Sequence, residues 1–182
     1  MLLPKEIKTK RLFLRPYSWD DIDDVFAYAV DPAWGRFLPV PAPYLHKHAV
    51  EFIEAQLLVK WEENPMWAIT LNDKCVGGIN IRLKPNHKKG DMGYSIGRQY
   101  WGRGLMTEAA GTILNLAFTE LPWLNNLKAM ADLRNTGSWR VMEKIGMIRE
   151  GCLRQNSVLR GESIDEVWYG ILRPEWEAQK TD

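Results

Sequence analysis

The chain has 182 residues, of which 46% are hydrophobic, and its formal net charge at pH 7 is +1. This length fits one domain, expected over residues 1–182 with a core of about 9–176, and the apolar fraction is enough for a substantial core. A charge so near zero gives no overall attraction to nucleic acid or to an anionic membrane. No apolar run reaches the roughly 20 residues of a membrane-spanning helix.

The N-terminus and the cysteines indicate the compartment. The first residues lack the hydrophobic region of a secretory signal. Cys75 and Cys152 lie far apart in apolar, strand-like segments, whereas a zinc or redox motif needs closely paired cysteines. We therefore expect both to be buried free thiols in a cytoplasmic protein that holds no metal.

Hydrophobic spacing predicts strands and amphipathic helices along the whole chain. The first helix begins after the N-cap Ser18 and ends at Pro32. Further helices are predicted at 46–63, 105–117 and 137–145. Strands are predicted at 12–15, 66–71, 75–83, 91–96, 127–133, 148–158 and 163–172. Because the strands outnumber the helices and form adjacent hairpins, we expect an α/β fold with a mixed sheet rather than a doubly wound parallel one.

The stretch Gln99-Tyr100-Trp101-Gly102-Arg103-Gly104 joins a predicted strand to a predicted helix. Two glycines at a helix entry expose consecutive backbone N–H groups at the positive end of the helix dipole, which suits a phosphate or pyrophosphate. A Walker loop would need Gly-x4-Gly-Lys-Ser/Thr, which the sequence lacks. A dinucleotide fingerprint would need a third glycine where Thr107 stands. Both nucleotide-binding interpretations are therefore disfavoured.

The pattern Gln99-x-x-Gly102-x-Gly104 instead resembles the acetyl-CoA loop of the GCN5-related N-acetyltransferase (GNAT) superfamily. The opening motif at 9–16 is similar to that of the branch containing the ribosomal-protein N-acetyltransferases RimJ and RimL. Further stretches that match this branch, in order, are 93–94, 100–109, 135–138, 143–147, 150–151 and 165–176. The resemblance implies the GNAT fold, in which helices flank a central, mixed, mostly antiparallel and splayed sheet.

The same resemblance implies acetyl-CoA as co-substrate and assigns residues to its binding. Backbone N–H groups of the loop are expected to bind the pyrophosphate, with the candidates Gln99, Tyr100, Trp101, Gly102, Arg103, Gly104, Leu105 and Met106. The strand before the loop supplies candidate amides for polarising the thioester carbonyl, at Met92, Gly93 and Tyr94. Asn135 is expected to hydrogen-bond the pantetheine amides. Arg103 is either a phosphate contact or a solvent-facing side chain.

Acetyl transfer also needs a base for the amine and a proton source for the departing thiolate. Many relatives carry Glu at the position of Asp91, which is the candidate base, with a structural carboxylate as the alternative. Many superfamily members place a tyrosine acid seven residues after Asn135, where this chain has Met142, which cannot donate a proton. The branch offers the Ser138 hydroxyl instead, and Ser138 is also a donor-site candidate. The alternative for Asn135 and Ser138 is helix capping.

The resemblance implies direct attack by a primary amine, with no enzyme nucleophile. The acceptor is left open between a protein or peptide N-terminus and a small-molecule amine. Trp34, Phe37 and Tyr44 lie in the proline-rich stretch 31–44 and are expected to line the substrate pocket, flanked by the hairpin 158–163. A homodimer is expected at the level of the family. The alternative function is a non-catalytic acyl-CoA-binding or sensing module.

Overall fold

An eight-stranded sheet with the order β1-β2-β3-β4-β5-β6-β8-β7 forms the centre of the structure, a computed structural model that describes residues 2–180. The strands are β1 (Ile7–Lys8), β2 (Phe13–Arg15), β3 (Met66–Leu71), β4 (Lys74–Lys84), β5 (Lys89–Ile96), β6 (Asn126–Asp132), β7 (Ile148–Leu159) and β8 (Glu162–Leu172). The helices are α1 (Ile22–Ala29), α2 (Pro32–Gly35), α3 (His46–Leu57), α4 (Leu105–Glu120), α5 (Thr136–Lys144) and α6 (Arg173–Ala178). Every neighbouring strand pair is antiparallel except β5–β6, which is parallel. The predicted mixed, mostly antiparallel sheet is confirmed.

β5 and β6 separate soon after they meet. Their pairing runs only from Lys89 opposite Asn126 to Asp91 opposite Lys128. Beyond that point β5 stays paired with β4 and β6 stays paired with β8. The sheet therefore opens into a gap between residues 92–96 of β5 and residues 129–132 of β6, which we call the slot. This gap is the splay that the resemblance implied.

Helices cover both faces of the sheet. Alternate residues of β3 belong to different buried clusters, since Trp67 and Ile69 pack with α4 whereas Ala68 packs with α1 and α3. This alternation follows from the two-residue period of a strand. The α4 stripe contributes fully buried side chains to the first cluster, including Leu105, Ala109, Ile113 and Ala117. The core thus consists of two layers, one on each side of β3 and β4.

Two expectations from the sequence are wrong. The helix predicted at 46–63 ends at Leu57, because Trp61 turns back to donate a hydrogen bond to the Leu3 carbonyl (2.7 Å) and to pack on Trp67. Cys152 is exposed, because every residue of the edge strand β7 is exposed or half-buried. Cys75 is buried as expected, and burial raises the pKa of its thiol to about 12.

Within residues 2–180, no helix combines the length and the apolar character that a membrane crossing requires. The same residues contain no group of three or more His, Cys, Asp or Glu side chains that could hold a metal ion. The domain expected over 1–182 also includes Met1, Thr181 and Asp182, which lie outside the described residues.

Gly77 is required where β4 lies against β5. A Cβ atom at residue 77 would overlap the carbonyl oxygen of Ser95 and lie 2.8 Å from Cα of Ile96. Because backbone atoms of a paired strand cannot move aside cheaply, Gly77→Ala is expected to lower the free energy of unfolding by about 2–3 kcal/mol in urea denaturation. The control is Gly151→Ala, where a Cβ would meet nothing within 4 Å. Equal losses in the two variants would contradict this explanation.

Candidate active site

The parallel strands β5 and β6 bring two helix N-termini to the open end of the slot. β5 leads through residues 97–104 into α4, and β6 leads through residues 133–135 into α5. Since parallel strands end at the same edge of a sheet, α4 and α5 both begin there. Their positive dipole ends therefore face the region in which the strands have separated.

The glycine loop has the conformation that its sequence predicts. Gly102 and Gly104 have φ values of 72° and 71°, in the left-handed region that favours glycine, and Gly104 is the N-cap of α4. Within the described chain, the backbone N–H groups of residues 102–107 have no hydrogen-bond acceptor. A Cβ atom at Gly102 would meet nothing within 4 Å. We call residues 102–107 the cradle, because their free amides surround open space.

The ion pair between Arg11 and Glu108 holds the cradle in place. Neither residue was a candidate from the sequence. Arg11 donates to the carbonyl of Arg103 (2.9 Å) and to Glu108 Oε2 (2.6 Å). Thr9 donates to Glu108 Oε1 (2.6 Å), in the first turn of α4. The signal in the sequence was the opening motif itself, whose Thr-x-Arg spacing places both donors on one carboxylate. The contacts of Thr9 and Arg11 with Glu108 and the Arg103 carbonyl, which we call the brace, thus hold the loop against the N-terminal segment.

The other donor-site candidates of the loop are arranged around this brace. Trp101 donates its indole N–H to the Ile96 carbonyl (2.9 Å), which ties the loop to the end of β5. The Arg103 guanidinium lies 5.7 Å from the centre of the Tyr100 ring, on the exposed side. Leu105 and Met106 are both buried in the first core cluster, so that only their backbone amides face the cradle. Gln99 is exposed, on a short 3-10 turn.

The open end of the slot is spanned by a pair of hydroxyl groups. Tyr94 on β5 donates its hydroxyl to the backbone carbonyl of Ser138 (2.8 Å), and the Ser138 hydroxyl lies 3.4 Å from the Tyr94 oxygen. Asn135 caps α5 by accepting from the Ser138 N–H at 3.3 Å, so its capping role is observed. Burial raises the pKa of Tyr94 well above its usual range, which keeps the phenol protonated. Met142 is buried in the core.

Asp91 lies at the other end of the slot, in the last residue pair before the strands separate. It forms an ion pair with Lys84 and is directly opposite Arg82 on β4 and Lys128 on β6. Because successive side chains of a strand point to opposite faces, Asp91 lies on the face opposite to Met92 and Tyr94. The candidate base and the hydroxyl pair therefore approach β5 from opposite sides.

Gly93 shares the face of Asp91 and packs against a neighbouring amide. A Cβ atom at residue 93 would lie 2.8 Å from Oδ1 of Asn80, whose Nδ2 donates to Asn64 (2.6 Å). The β4–β5 register runs through Gly93 without a bulge. The side chain of Asn80, rather than a distortion of the strand, therefore explains why residue 93 is a glycine.

The three aromatic candidates for the substrate pocket are not in one place. Trp34 and Tyr44 are buried in the second core cluster, with their ring centres 6.0 Å apart. Trp34 lies in the short helix α2, which Asp31 caps by accepting from the Ala33 N–H, and its ring also packs on Tyr28 (5.3 Å between centres). Phe37 is outside this cluster and half-buried, with the guanidinium groups of two arginines within 6 Å of its ring centre. Phe37 is thus the one of the three that reaches the charged end of β6.

The charged groups at the end of β6 are Asp132 and Arg134. Arg134 donates to the buried Asp132 carboxylate (2.7 Å) and to Glu162 (3.0 Å), and it is one of the two arginines near Phe37. The hydrogen bonds from Arg134 hold the pKa of Asp132 below its usual range. No periodic pattern or motif in the sequence indicated this group. It links the end of β6 to the β7–β8 hairpin.

The β7–β8 hairpin contacts the stretch 31–44, and these are the two segments that the sequence predicted to flank the acceptor site. Arg160, at the hairpin tip, donates to the carbonyl oxygens of Gly35 (2.8 Å), Arg36 (3.0 Å), Leu38 (3.2 Å) and Val40 (3.3 Å). A guanidinium has five N–H donors in a fixed fork, which suits several carbonyls of a curved backbone. One side chain therefore ties this stretch to the tip of the hairpin.

The comparisons with known proteins agree with this geometry. The acetyltransferase (GNAT) domain family matches residues 11–148, and the chain belongs to this family, as an N-acetyltransferase. It is 30% identical over 171 residues to the uncharacterized N-acetyltransferase YnaD of Bacillus subtilis strain 168, covering 93% of this chain and 98% of YnaD.

Solved structures share the fold. The GNAT-family acetyltransferase from Bacillus anthracis has a TM-score of 0.81 and 27% identity, over 93% of this chain and 99% of that one. RimL, a ribosomal L7/L12 alpha-N-protein acetyltransferase solved with coenzyme A, has a TM-score of 0.79 over 94% of this chain and 98% of its own. At 17% identity the likeness to RimL shows the fold alone.

Glu108 is expected to make stability depend on acid pH. Burial raises the pKa of Glu108, but the hydrogen bonds from Thr9 and Arg11 outweigh burial and hold this pKa below 4.5. A carboxyl whose pKa is lower in the folded state stabilises the fold above its unfolded pKa, and this contribution is lost as the pH falls through the folded pKa. Glu108→Gln should therefore lower the free energy of unfolding by about 1–2 kcal/mol at pH 7, and by less at pH 3.

Urea denaturation at the two pH values measures the effect. Glu120→Gln is the control, because it removes the same charge from the other end of α4. If the two variants showed the same change at both pH values, the brace around Glu108 would have no energetic role.

Arg160→Ala is expected to loosen the stretch 31–44 without affecting the cradle. Four carbonyl groups lose their donor, so amide hydrogen exchange in residues 35–40 should become about tenfold faster. Exchange in residues 102–107 should stay the same. Arg154→Ala removes an exposed arginine from the same hairpin and serves as the control. Unchanged exchange in residues 35–40 would show that other contacts hold the stretch.

Proposed function

We propose that this N-acetyltransferase uses acetyl-CoA and transfers the acetyl group to a primary amine by direct attack. The observation that carries the proposal is the cradle, whose unpartnered amides lie at the start of a 16-residue helix and beside the slot. A row of free N–H groups at the positive end of a helix fits a pyrophosphate. The likeness to RimL, which was solved with coenzyme A, supports this choice of donor.

The residues around the cradle and the slot fit the parts of acetyl-CoA. The amides of residues 102–106 would hold the pyrophosphate, and the pantetheine arm would enter the slot between the separated strands. Asn135 and Ser138, at the start of α5, would face this arm. In residues 92–94, the backbone N–H groups that point away from β4 have no strand to pair with, because β6 has left. Such an N–H is available to polarise the thioester carbonyl.

The two faces of β5 support separate places for the two proposed proton-handling groups. The acceptor amine would approach on the face of Asp91, which takes its proton directly or through water. The amine nitrogen forms a bond to the thioester carbon, and the sulfur leaves with the electron pair of the C–S bond. The Ser138 hydroxyl, on the other face, would donate a hydrogen bond to this thiolate.

The acceptor is proposed to bind between the stretch 31–44 and the β7–β8 hairpin, beside Phe37. RimL acts, as its name states, on the alpha-amino group of a ribosomal protein, which supports a protein N-terminus as one acceptor class. A small-molecule amine is the other class. The cytoplasmic location and the homodimer stay predictions.

The test is release of free coenzyme A from acetyl-CoA in the presence of a panel of peptides and small amines. The wild-type protein should release it with at least one acceptor class, and mass spectrometry should find the acetylated amine. Gly104→Val should weaken acetyl-CoA binding at least tenfold in calorimetry, because a β-branched residue is strained at a φ of 71° and would distort the cradle.

Gly161→Val is the matched control, since Gly161 has a φ of 82° and lies at the hairpin tip, away from the cradle. Unchanged acetyl-CoA affinity in Gly104→Val would refute the cradle as the donor site. Binding of acetyl-CoA without release of coenzyme A for any acceptor would instead indicate the non-catalytic acyl-CoA-binding module.

A further inference from the structure

Tyr94 is the residue that connects the two sides of the slot. It extends from β5, beyond the last residue pair with β6, and reaches the first turn of α5. Its hydroxyl donates to the Ser138 carbonyl at 2.8 Å and lies 3.4 Å from the Ser138 hydroxyl. The two contacts to one residue fix both the backbone and the side chain of Ser138.

A serine hydroxyl by itself is poorly oriented for hydrogen bonding. It rotates about its Cβ–Oγ bond, and the side chain has three staggered positions. In this site the other polar contact of Ser138 is its N–H to the Asn135 cap, which leaves the hydroxyl unconstrained. The Tyr94 oxygen is the group that the hydroxyl contacts within the described chain, so Tyr94 fixes the position of the Ser138 oxygen.

We propose that Tyr94 is a positioning residue for acetyl transfer, which holds the Ser138 hydroxyl towards the sulfur of the departing thiolate. This inference rests on the proposed function. Tyr94 entered the sequence analysis only as a possible backbone amide, whereas the structure points to its side chain. At the α5 position where many superfamily members carry a tyrosine, this chain has the buried Met142. The phenol that lies beside Ser138 belongs to Tyr94, on β5.

The role of each hydroxyl follows from the bonds that change. When the C–S bond breaks, the sulfur takes the electron pair, and the amine proton goes to the base on the other face of β5. The Ser138 hydroxyl then turns its hydrogen from the Tyr94 oxygen to the sulfur. Tyr94 keeps its own hydrogen bond to the Ser138 carbonyl during this change, so the serine does not move away. The phenol stays protonated throughout and transfers no proton.

The experiment is a double-mutant cycle with Tyr94→Phe and Ser138→Ala, measured by steady-state release of coenzyme A. Tyr94→Phe alone should lower kcat roughly tenfold and change KM for acetyl-CoA less than twofold, as for loss of a hydrogen bond that matters in the transition state. In the Ser138→Ala background the carbonyl bond of Tyr94 is still present, but the hydroxyl is gone. Tyr94→Phe should there change kcat less than twofold.

The control is Tyr169→Phe, which removes another phenol hydroxyl, one that donates to Glu143 (3.0 Å) near the C-terminal end of α5. It should leave kcat unchanged. Equal losses from Tyr94→Phe with and without Ser138 would overturn the proposal, because they would show a purely structural role. An unchanged kcat in Tyr94→Phe would overturn it as well.

The wild-type protein distinguishes this failure from failure of the proposed function. If it releases coenzyme A and the cycle shows no coupling, only the positioning role of Tyr94 is wrong. If it releases none with any amine, the proposed function and the role of Tyr94 fall together.

Discussion

The candidate site depends on the early separation of two parallel strands. β5 and β6 share three residue pairs and then diverge, although each remains fully paired on its other side. An unpaired strand edge inside a sheet leaves backbone N–H and C=O groups without partners, which costs free energy unless another group binds them. The slot therefore exposes backbone hydrogen-bonding groups of both strands, and the helix N-termini beside it add a preference for negative charge.

A separated pair of strands must be held apart at a defined distance, and side chains from distant parts of the chain do this. Arg11 and Thr9 hold the first turn of α4 through Glu108, and Tyr94 reaches α5 through Ser138. Each of these bonds joins residues more than 40 positions apart in the sequence. The geometry of the slot is thus a property of long-range contacts rather than of the local loop sequence.

The alternation of side chains along β5 separates the two halves of the proposed chemistry. Asp91 and Gly93 lie on one face, and Met92 and Tyr94 on the other, because the strand period is two. The charged groups at Asp91 are Lys84, Arg82 and Lys128, whereas the half-buried Tyr94 has its hydroxyl against the neutral Ser138. The proposed base and the neutral hydroxyl pair are therefore kept apart, on opposite faces of β5.

The sequence by itself determined the features that depend on neighbouring residues, namely the secondary structure and the glycine loop. The spacing of apolar residues predicted seven of the eight strands and four of the six helices but not β1, α2 or α6, and the two glycines predicted a loop of exposed amides that opens a helix. It did not reveal that Trp34 and Tyr44 pack in the core, because that packing depends on contacts with α1 and α3 in the second core cluster. It also did not reveal the exposure of Cys152, which follows from the position of β7 at the sheet edge. Only the tertiary structure joined Arg11 to Glu108, Arg160 to the stretch 31–44, and Tyr94 to Ser138, because such partners meet only when the strands have taken their order.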